Sequence, residues 1–377
     1  MLRSEAVVDL SAITANVRTL AAGTSAEIMA VVKADGYGHG MVPSARAAVA
    51  GGASWLGVAM LEEALALRAA DIQLPILAWL WTPHDHSLLR EALSRSVDVS
   101  VSSHAALDMV VTLAAELGVT ARIHLKVDTG LSRNGATPAD WPDLVIAAAR
   151  AASNGVLEIV GIWSHLVSAE LPGDPITAHQ LDSFREALET AEDLGVIPRL
   201  RHIANSAGLL VAGGADFDLV RTGIAIYGLS PAPALGSFGL TPAMTLRSHV
   251  ANVKRVGPGQ GVSYNHVYRT KRETTLALVP LGYADGIPIK ATNVAPVAIQ
   301  GCGYRVCGRV AMDQFVVDVG DAEIYEGDEV ILFGPGSDGE PTAQDWADAL
   351  DTIHYEVVTR IGVRVPRSYV GYVGAQG

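Results

Sequence analysis

The sequence is short of the features that several classes of protein require. Its two cysteines, Cys302 and Cys307, are too few for a disulfide framework or a zinc ribbon. No apolar run is long enough to cross a membrane, and the first residues lack the apolar segment of a signal peptide. Free thiols and the lack of a leader together predict a cytoplasmic protein.

Basic residues are also in the minority, with 27 Lys and Arg against 40 Asp and Glu, which leaves a net charge of −13. A chain this acidic has no electrostatic reason to bind nucleic acid or an anionic membrane. The 377 residues and the 49% hydrophobic content instead allow two globular domains with substantial cores. We therefore expect a globular protein with no nucleic-acid or membrane partner and no metal site.

Short β-branched runs alternate with Ala- and Leu-rich helical stretches through the first two-thirds of the chain. Eight runs have the composition of buried strands, and they begin near Glu27, Trp55, Pro75, Val97, Ala121, Glu158, Leu200 and Asp218. Eight parallel strands that alternate with helices predict a closed (β/α)8 TIM barrel. The rival, an open doubly wound sheet, would normally carry a GxGxxG turn after its first strand, and the sequence has none there.

The pattern changes after about Leu235, where helical periodicity fades and strand-like runs follow one another with Gly/Pro turns between them. These runs begin near Thr275, Ala295, Tyr304, Gln314 and Asp328. One helical stretch, TAQDWADALDTI, interrupts them. We therefore predict a barrel over residues 1–235 and a mainly β domain over residues 236–377.

Lysine is rare, with five residues among the 27 basic ones. Lys33 and Lys126 stand near the carboxyl ends of the first and fifth predicted strands, where barrel enzymes place their catalytic groups. Unlike arginine, lysine can lose its proton when it is desolvated and then act as a nucleophile. Position alone leaves two interpretations equally open, namely ammonium groups in polar networks and functional lysines.

The surroundings of Lys33 favour a functional role. An apolar strand leads to this lysine in AVVKADGYGHG, and a loop with three glycines follows it and contains Tyr37. A lysine, a Gly-rich bend and a tyrosine hydroxyl could together hold an aldehyde cofactor with a phosphate tail.

Nine segments in both halves of the chain resemble signature sequences of the alanine racemase family. They are AVVKADGYGHG, KVDTGLSRNG, SHL, NS, RTGIAIYG, GVSYN, GYADG, CGRVAMDQ and HYEVVTRIGVRVPR, in the family's order. The resemblance implies a pyridoxal 5′-phosphate (PLP) enzyme that interconverts L-alanine and D-alanine through an external aldimine and supplies D-alanine for peptidoglycan. It also implies a head-to-tail homodimer in which the β domain of one chain completes the partner's active site.

The resemblance assigns roles to individual residues. Lys33 would bind PLP as a Schiff base and act as one of two acid–base groups, with Tyr264 of the partner chain as the other. Arg221 would face the pyridine nitrogen and His165 would lie beside the cofactor ring. The phosphate-binding positions would be Tyr37, Ser206, Gly223, Ile224 and Tyr355. The substrate-binding positions would be Arg133, Met312 and Tyr283. Lys126 corresponds to a lysine that carries a CO2-derived carbamate in many relatives and orients the arginine, here Arg133.

Other interpretations remain open at this point. A racemase of another small amino acid such as serine is one, and a barrel-type PLP decarboxylase is another. A non-catalytic PLP-binding protein and a Schiff-base aldolase without PLP are two more. Arg221 argues against the decarboxylase, which needs an acidic partner for the pyridine nitrogen, unless Arg221 is only a strand-end arginine paired with Asp216 or Asp218.

Overall fold

A computed structural model describes residues 2–371 of the chain. The chain begins with strand β1, Ser4–Asp9, and helix α1, Leu10–Ala22. Asp9 caps this helix, because its Oδ1 accepts hydrogen bonds from the backbone N–H of Ser11 at 2.8 Å and of Ala12 at 3.2 Å.

Eight parallel strands then form one sheet, and they are the eight strands that the sequence predicts. They are β2 Glu27–Val31, β3 Trp55–Val58, β4 Ile76–Ala78, β5 Asp98–Val101, β6 Ala121–Lys126, β7 Leu157–Trp163, β8 Leu200–His202 and β9 Leu219–Thr222. Their order is β8-β7-β6-β5-β4-β3-β2-β9. The two edge strands meet, since the backbone N–H of Arg221 donates to the carbonyl of Ala204 at 3.0 Å. The predicted barrel is therefore confirmed.

Helical segments connect the strands, and the longer ones cover the outside of the barrel, whereas the short α2 contains left-handed residues and lies at the mouth. They are α2 Lys33–Tyr37, α3 Met41–Ala50, α4 Leu61–Ala69, α5 His86–Ser94, α6 His104–Leu117, α7 Trp141–Ser153, α8 Pro175–Asp193 and α9 Ser206–Leu210. Helix α6 shows why such segments are helical: Ser103 caps it, and Leu107, Val110 and Leu113 form one buried stripe. Of the helices in residues 2–371, none is long and apolar enough to span a bilayer.

The described residues after the barrel, up to residue 371, form a mainly antiparallel second sheet, a separate two-stranded sheet of β12 and β13, and two α-helices, which confirms the predicted β domain. Its strands are β10 Met244–His249, β11 Asn252–Val256, β12 Gly261–Val262, β13 Tyr268–Arg269, β14 Thr274–Val279, β15 Pro296–Ile299, β16 Cys302–Cys307, β17 Phe315–Gly320, β18 Glu329–Phe333 and β19 Arg367–Val370. Its helices are α10 Ala343–Leu350 and α11 His354–Thr359. Helix α10 is the helix predicted in this region.

Strand β1 belongs to this second sheet, although the sequence-based division assigns residues 1–235 to the barrel. It pairs antiparallel with β10 and parallel with β19, so the sheet order is β11-β14-β17-β16-β15-β18-β10-β1-β19. The physical reason lies in its pattern of burial. Residues alternate between buried and partly exposed along β1, as in a sheet with one covered face, whereas β3, β4, β5 and β9 are buried throughout.

The second domain also contacts the turn that follows the first barrel strand. The guanidinium of Arg367 donates to the carbonyl of Gly38 at 2.9 Å, and to those of Gly362 and Val365 at 2.8 Å each. Helix α11 packs against α2 at the same place. This contact places Tyr355 of α11 beside the mouth of the barrel in the same chain.

Candidate active site

Polar side chains collect where the barrel strands end. They are Lys33 after β2, Lys126 at the end of β6, His165 after β7, Ser206 after β8 and Arg221 within β9. Because parallel strands of a closed barrel all end at the same face, these groups lie at one mouth, where barrel enzymes hold their catalytic residues.

Lys33 is partly buried at this mouth. Its Nζ lies 5.9 Å from the centre of the Trp79 ring. Burial and the positive charge of Arg133 lower the pKa of Lys33, against the opposing effect of Glu63. A larger fraction of this amine is therefore neutral near neutral pH than of an exposed lysine, and the neutral amine is the nucleophilic form.

A left-handed turn follows Lys33 and directs Tyr37 inward. The φ angles of Ala34, Asp35 and Tyr37 are +52°, +52° and +53°. Each costs roughly 1–2 kcal/mol in an L-residue. Hydrogen bonds offset that cost, among them Met41 N–H to Asp35 Oδ1 at 2.8 Å and Ala34 N–H to a Glu63 carboxylate oxygen at 2.6 Å.

Tyr37, Ser206 and Gly223 meet at one point. Ser206 Oγ accepts a hydrogen bond from the Gly223 N–H at 3.0 Å. A Cβ atom on Gly223 would lie only 2.3 Å from the Tyr37 hydroxyl, so that hydroxyl reaches the backbone only because residue 223 is glycine. The Tyr355 ring lies 6.3 Å from that of Tyr37. The predicted phosphate-binding residues Tyr37, Ser206, Gly223 and Tyr355 are thus neighbours, and Ile224 directly follows Gly223.

The two tyrosines of this group remain hydrogen-bond donors at neutral pH. Burial and the neighbouring Tyr355 raise the pKa of Tyr37. Burial and Glu170 raise the pKa of Tyr355 to about 12. Protonated hydroxyls and backbone N–H groups that converge on one point suit an anion such as a phosphate.

Arg221 is buried and makes no contact with the acidic residues considered from the sequence. Its Nη2 donates to the carbonyls of Ser164 at 2.7 Å and Ile203 at 3.0 Å, and lies 3.2 Å from His165 Nδ1. Asp218 instead pairs with Arg201 at 2.6 Å, and Asp216 accepts a hydrogen bond from Thr24. The alternative of a strand-end ion pair is therefore wrong. Burial and Arg133 lower the pKa of Arg221 to about 9, which leaves it charged at neutral pH.

Lys126 lies in the same group. Its Nζ is 4.2 Å from the centre of the Trp163 ring and donates to Asn134 Oδ1. Burial, Arg221 and Arg133 lower the pKa of Lys126 to about 7. A much larger fraction of this amine is therefore neutral at physiological pH than of an exposed lysine.

Arg133 stands on a loop shaped by Asp128, whose Oδ1 accepts hydrogen bonds from the N–H groups of Gly130 at 3.0 Å and Ser132 at 3.1 Å. Its charge lowers the pKa values of Lys33, Lys126, His165 and Arg221, so it is close to all four. A cationic pocket in a chain of net charge −13 indicates an anionic ligand.

Three predicted site residues are on the surface of the second domain instead. Tyr264 is 67% exposed, Met312 is 52% exposed and Tyr283 is 43% exposed. They share a region, since the Tyr283 N–H donates to the carbonyl of Ala311 at 3.0 Å, next to Met312, and Ala311 lines one cavity together with Tyr264. No hydrogen bond, ion pair or ring contact within residues 2–371 joins them to Lys33.

Two sequence profiles cover this arrangement almost entirely. The alanine racemase N-terminal domain matches residues 8–231, and the alanine racemase C-terminal domain matches residues 243–369. The chain belongs to the alanine racemase family. The predictions of family, fold and enzyme class, an amino-acid isomerase, are thereby confirmed.

Close relatives carry the same name. An alanine racemase of Frankia casuarinae is 56% identical over 98% of this chain and 97% of its own, and one of Thermobifida fusca is 56% identical over 98% and 99%. The crystal structure of alanine racemase from D-cycloserine producing Streptomyces lavendulae is 54% identical, has a TM-score of 0.97, and covers 99% of this chain and 98% of that one.

Two aromatic residues of this site, Trp163 and Trp79, were not predicted from the sequence. Trp163 lies under both Lys126 and Arg221, whose Cζ is 4.8 Å from its ring centre, and Trp79 lies beside Lys33. Trp163 directly precedes the Ser164–His165 pair, so its position was the available signal. Trp79 follows β4 with no motif around it.

Proposed function

We propose that the protein interconverts L-alanine and D-alanine, with PLP held covalently on Lys33 Nζ and with Tyr264 of a second copy as the opposing acid–base group. The cationic pocket around Lys33 carries this proposal, because PLP and an amino acid together bring a phosphate, a phenolic oxygen and a carboxylate. The D-alanine product would serve peptidoglycan synthesis in the cytoplasm.

The residues at the mouth fit the parts of PLP. Tyr37, Ser206, Tyr355 and the backbone at Gly223 would hold the phosphate, since they offer hydroxyl and N–H donors around one point. His165 would lie beside the ring. When bound, PLP withdraws electrons from the α-carbon of an attached amino acid and makes its α-proton acidic.

Racemisation removes the α-proton from one face and returns a proton to the other face. One base cannot easily reach both faces, so two groups on opposite sides are required. Lys33 Nζ would accept or donate the proton on one side, in keeping with its lowered pKa. Tyr264 Oη would do so on the other side, and Lys33 would serve D-alanine and Tyr264 L-alanine.

Arg221 would set the type of reaction. A guanidinium beside the pyridine nitrogen discourages protonation of that nitrogen and so restrains electron withdrawal. Weaker electron withdrawal favours racemisation, because a long-lived carbanion would more often be protonated on the cofactor, which leads to transamination. A decarboxylase of the same architecture would need an acidic group at this position.

Arg133 would bind the substrate carboxylate and the phenolic oxygen. Tyr283 and Met312 of the second copy would narrow the entrance and favour a small side chain such as that of alanine. A head-to-tail homodimer accounts for the exposure of Tyr264, Tyr283 and Met312 in the single chain, because an isologous pair would bring these residues over the partner's barrel mouth.

Chiral analysis of amino acids incubated with the purified protein and PLP tests the proposal. We expect L-alanine to approach an equal mixture of enantiomers, L-serine to react more slowly, and L-lysine to release no CO2. D-serine formed faster than D-alanine would move the proposal to a serine racemase. CO2 release without any D-amino acid would favour a decarboxylase.

We also predict that Lys126 carries a carbamate that positions Arg133. The neutral amine attacks CO2, forms an N–C bond and releases one proton. Because the pKa of Lys126 is about 7, carbamate should accumulate as the pH rises through 7 and disappear as the pH falls below it. Protein equilibrated with 13C-bicarbonate should give one carbamate signal by NMR.

The signal should vanish in Lys126→Arg and persist in Lys254→Arg, which changes an exposed lysine of the second domain. A wild-type spectrum without a carbamate signal at pH 8 would refute this prediction. The loop shaped by Asp128 would then position Arg133 without a carbamate.

A further inference from the structure

A line of buried hydrogen-bonding groups runs through the inside of the barrel and ends on Arg221. Asp98 Oδ2 lies 3.3 Å from His124 Nε2, and His124 Nδ1 lies 2.9 Å from His202 Nε2. His202 Nδ1 lies 3.1 Å from Arg221 Nη1. All four side chains are at most 4% exposed. The line joins the start of β5 to the strand end that carries the active-site arginine.

The chemistry of its two ends fixes the direction of every bond in this line. A guanidinium can only donate, so His202 Nδ1 must accept. His202 therefore carries its proton on Nε2 and donates to His124 Nδ1. His124 in turn carries its proton on Nε2 and donates to Asp98, whose carboxylate can only accept. Both imidazoles are neutral and share one tautomer.

The barrel is built around this line. A Cβ atom on Gly161 would lie 2.4 Å from His124 Nδ1, so a larger residue in β7 would displace the bond between the two histidines. The His202 ring stacks on Trp163, with 5.7 Å between the ring centres and 6° between the ring planes. The indole N–H of Trp163 in turn donates a hydrogen bond to Ser100 Oγ at 3.0 Å. His202 therefore has one orientation.

The far end of the line is anchored as well. Arg122 binds both oxygens of Asp98, through Nε at 2.9 Å and Nη2 at 3.1 Å, and its remaining Nη1 reaches Glu158 at 2.9 Å. Burial works against ionisation, but the hydrogen bonds from His124 and Arg122 lower the pKa of Asp98. Asp98 is therefore a carboxylate at neutral pH.

We propose that Asp98, His124 and His202 are positioning residues that orient the Arg221 guanidinium and thereby favour racemisation over transamination. The negative charge of Asp98 polarises both imidazoles in the same sense, so His202 Nδ1 becomes a stronger acceptor for Arg221. Burial, Arg221 and His124 hold the pKa of His202 well below its usual value, and the acceptor lone pair is retained over the working range of pH. This inference rests on the proposed function.

Nitrogen-15 NMR of PLP-loaded protein labelled at histidine tests the arrangement without reference to turnover. We expect His124 and His202 each to be protonated on Nε2 and unprotonated on Nδ1 at neutral pH. His202→Gln identifies the His202 signals by their loss. A doubly protonated imidazole or the opposite tautomer at either position would overturn the proposal.

Variants test the consequence for the reaction. His202→Leu removes the acceptor for Arg221, whereas the amide of His202→Gln can both accept from Arg221 and donate to His124. We expect His202→Leu to raise the pyruvate released per racemisation event on the order of tenfold and to alter the visible spectrum of bound PLP. In this side reaction the amino group of alanine would stay on the cofactor, whose aldehyde is reduced to an amine, and water would supply the keto oxygen of pyruvate. His202→Gln should restore both towards the wild type. Asp98→Asn keeps an acceptor without its charge and should give an intermediate increase.

Glu158→Gln is the matched control, because it changes a half-exposed carboxylate on the same Arg122 but outside the line. The proposal would be overturned if the pyruvate released per racemisation event were the same in His202→Leu, His202→Gln and the control. If Asp98→Asn fails to fold, the pair of His202 variants decides alone. A wild type that forms no D-amino acid would contradict the proposed function, while the tautomers would still be measured independently.

Discussion

Replacing Lys33 with alanine is expected to reduce racemisation in both directions by at least about 10⁴-fold. The variant loses the covalent attachment point of PLP and one acid–base group at once. Borohydride reduction of the wild type followed by peptide mass analysis should find the cofactor on the Lys33 peptide. The variant should incorporate none.

Lys254→Ala is the control for this experiment, since it removes an exposed lysine from the second domain. It should keep wild-type activity and cofactor. Racemisation by Lys33→Ala at more than a few per cent of the wild-type rate would show that another amine, such as Lys126, binds PLP. The cofactor would then be attached to that lysine, and the roles proposed for the other residues at the mouth would change accordingly.

Tyr264→Phe should affect the two enantiomers unequally. Exchange of the α-proton of L-alanine with heavy water should fall about 10²–10⁴-fold, because the group that removes this proton is gone. Exchange of D-alanine should fall less, because Lys33 remains. Proton NMR of each enantiomer measures the two rates separately. Tyr325→Phe, at another exposed tyrosine of the second domain, should change neither rate.

Mixing the two inactive variants tests whether the site is shared between chains. A dimer of one Lys33→Ala chain and one Tyr264→Phe chain contains one doubly altered site and one intact site. After unfolding and refolding together, random pairing should restore about a quarter of the wild-type activity. If both residues came from the same chain, no mixture would gain activity.

The barrel could be predicted from the sequence because its strands are buried on both sides. Such strands are nearly continuous apolar runs, as in Trp55–Val58, and they stand out between amphipathic helices such as His104–Leu117. The position of Lys33 and Lys126 at the ends of two of these runs then placed them at the mouth. The ends and the order of the strands were therefore sufficient to predict the barrel and the position of these two lysines.

Other features depend on register and on distant contacts, which a sequence does not display. The line from Asp98 to Arg221 needs side chains of four strands at matching heights, and neither His124 nor His202 lies in a segment that the sequence analysis singled out. The division at residue 235 placed strand β1 with the barrel, because its partners β10 and β19 lie far along the chain. The outward position of Tyr264 depends on a turn in which Ser263 and Asn265 both have positive φ.

The pairing of β1 constrains the order of events during synthesis. Strand β1 finds its antiparallel partner only when β10 has been made, and its parallel partner β19 is made later still. At ordinary elongation rates the first strand therefore waits roughly 10–50 s for a neighbour, although every barrel strand is already available by then. The apolar face of β1, with Ala6 and Val8 fully buried in the finished molecule, has neither of its sheet neighbours throughout that interval.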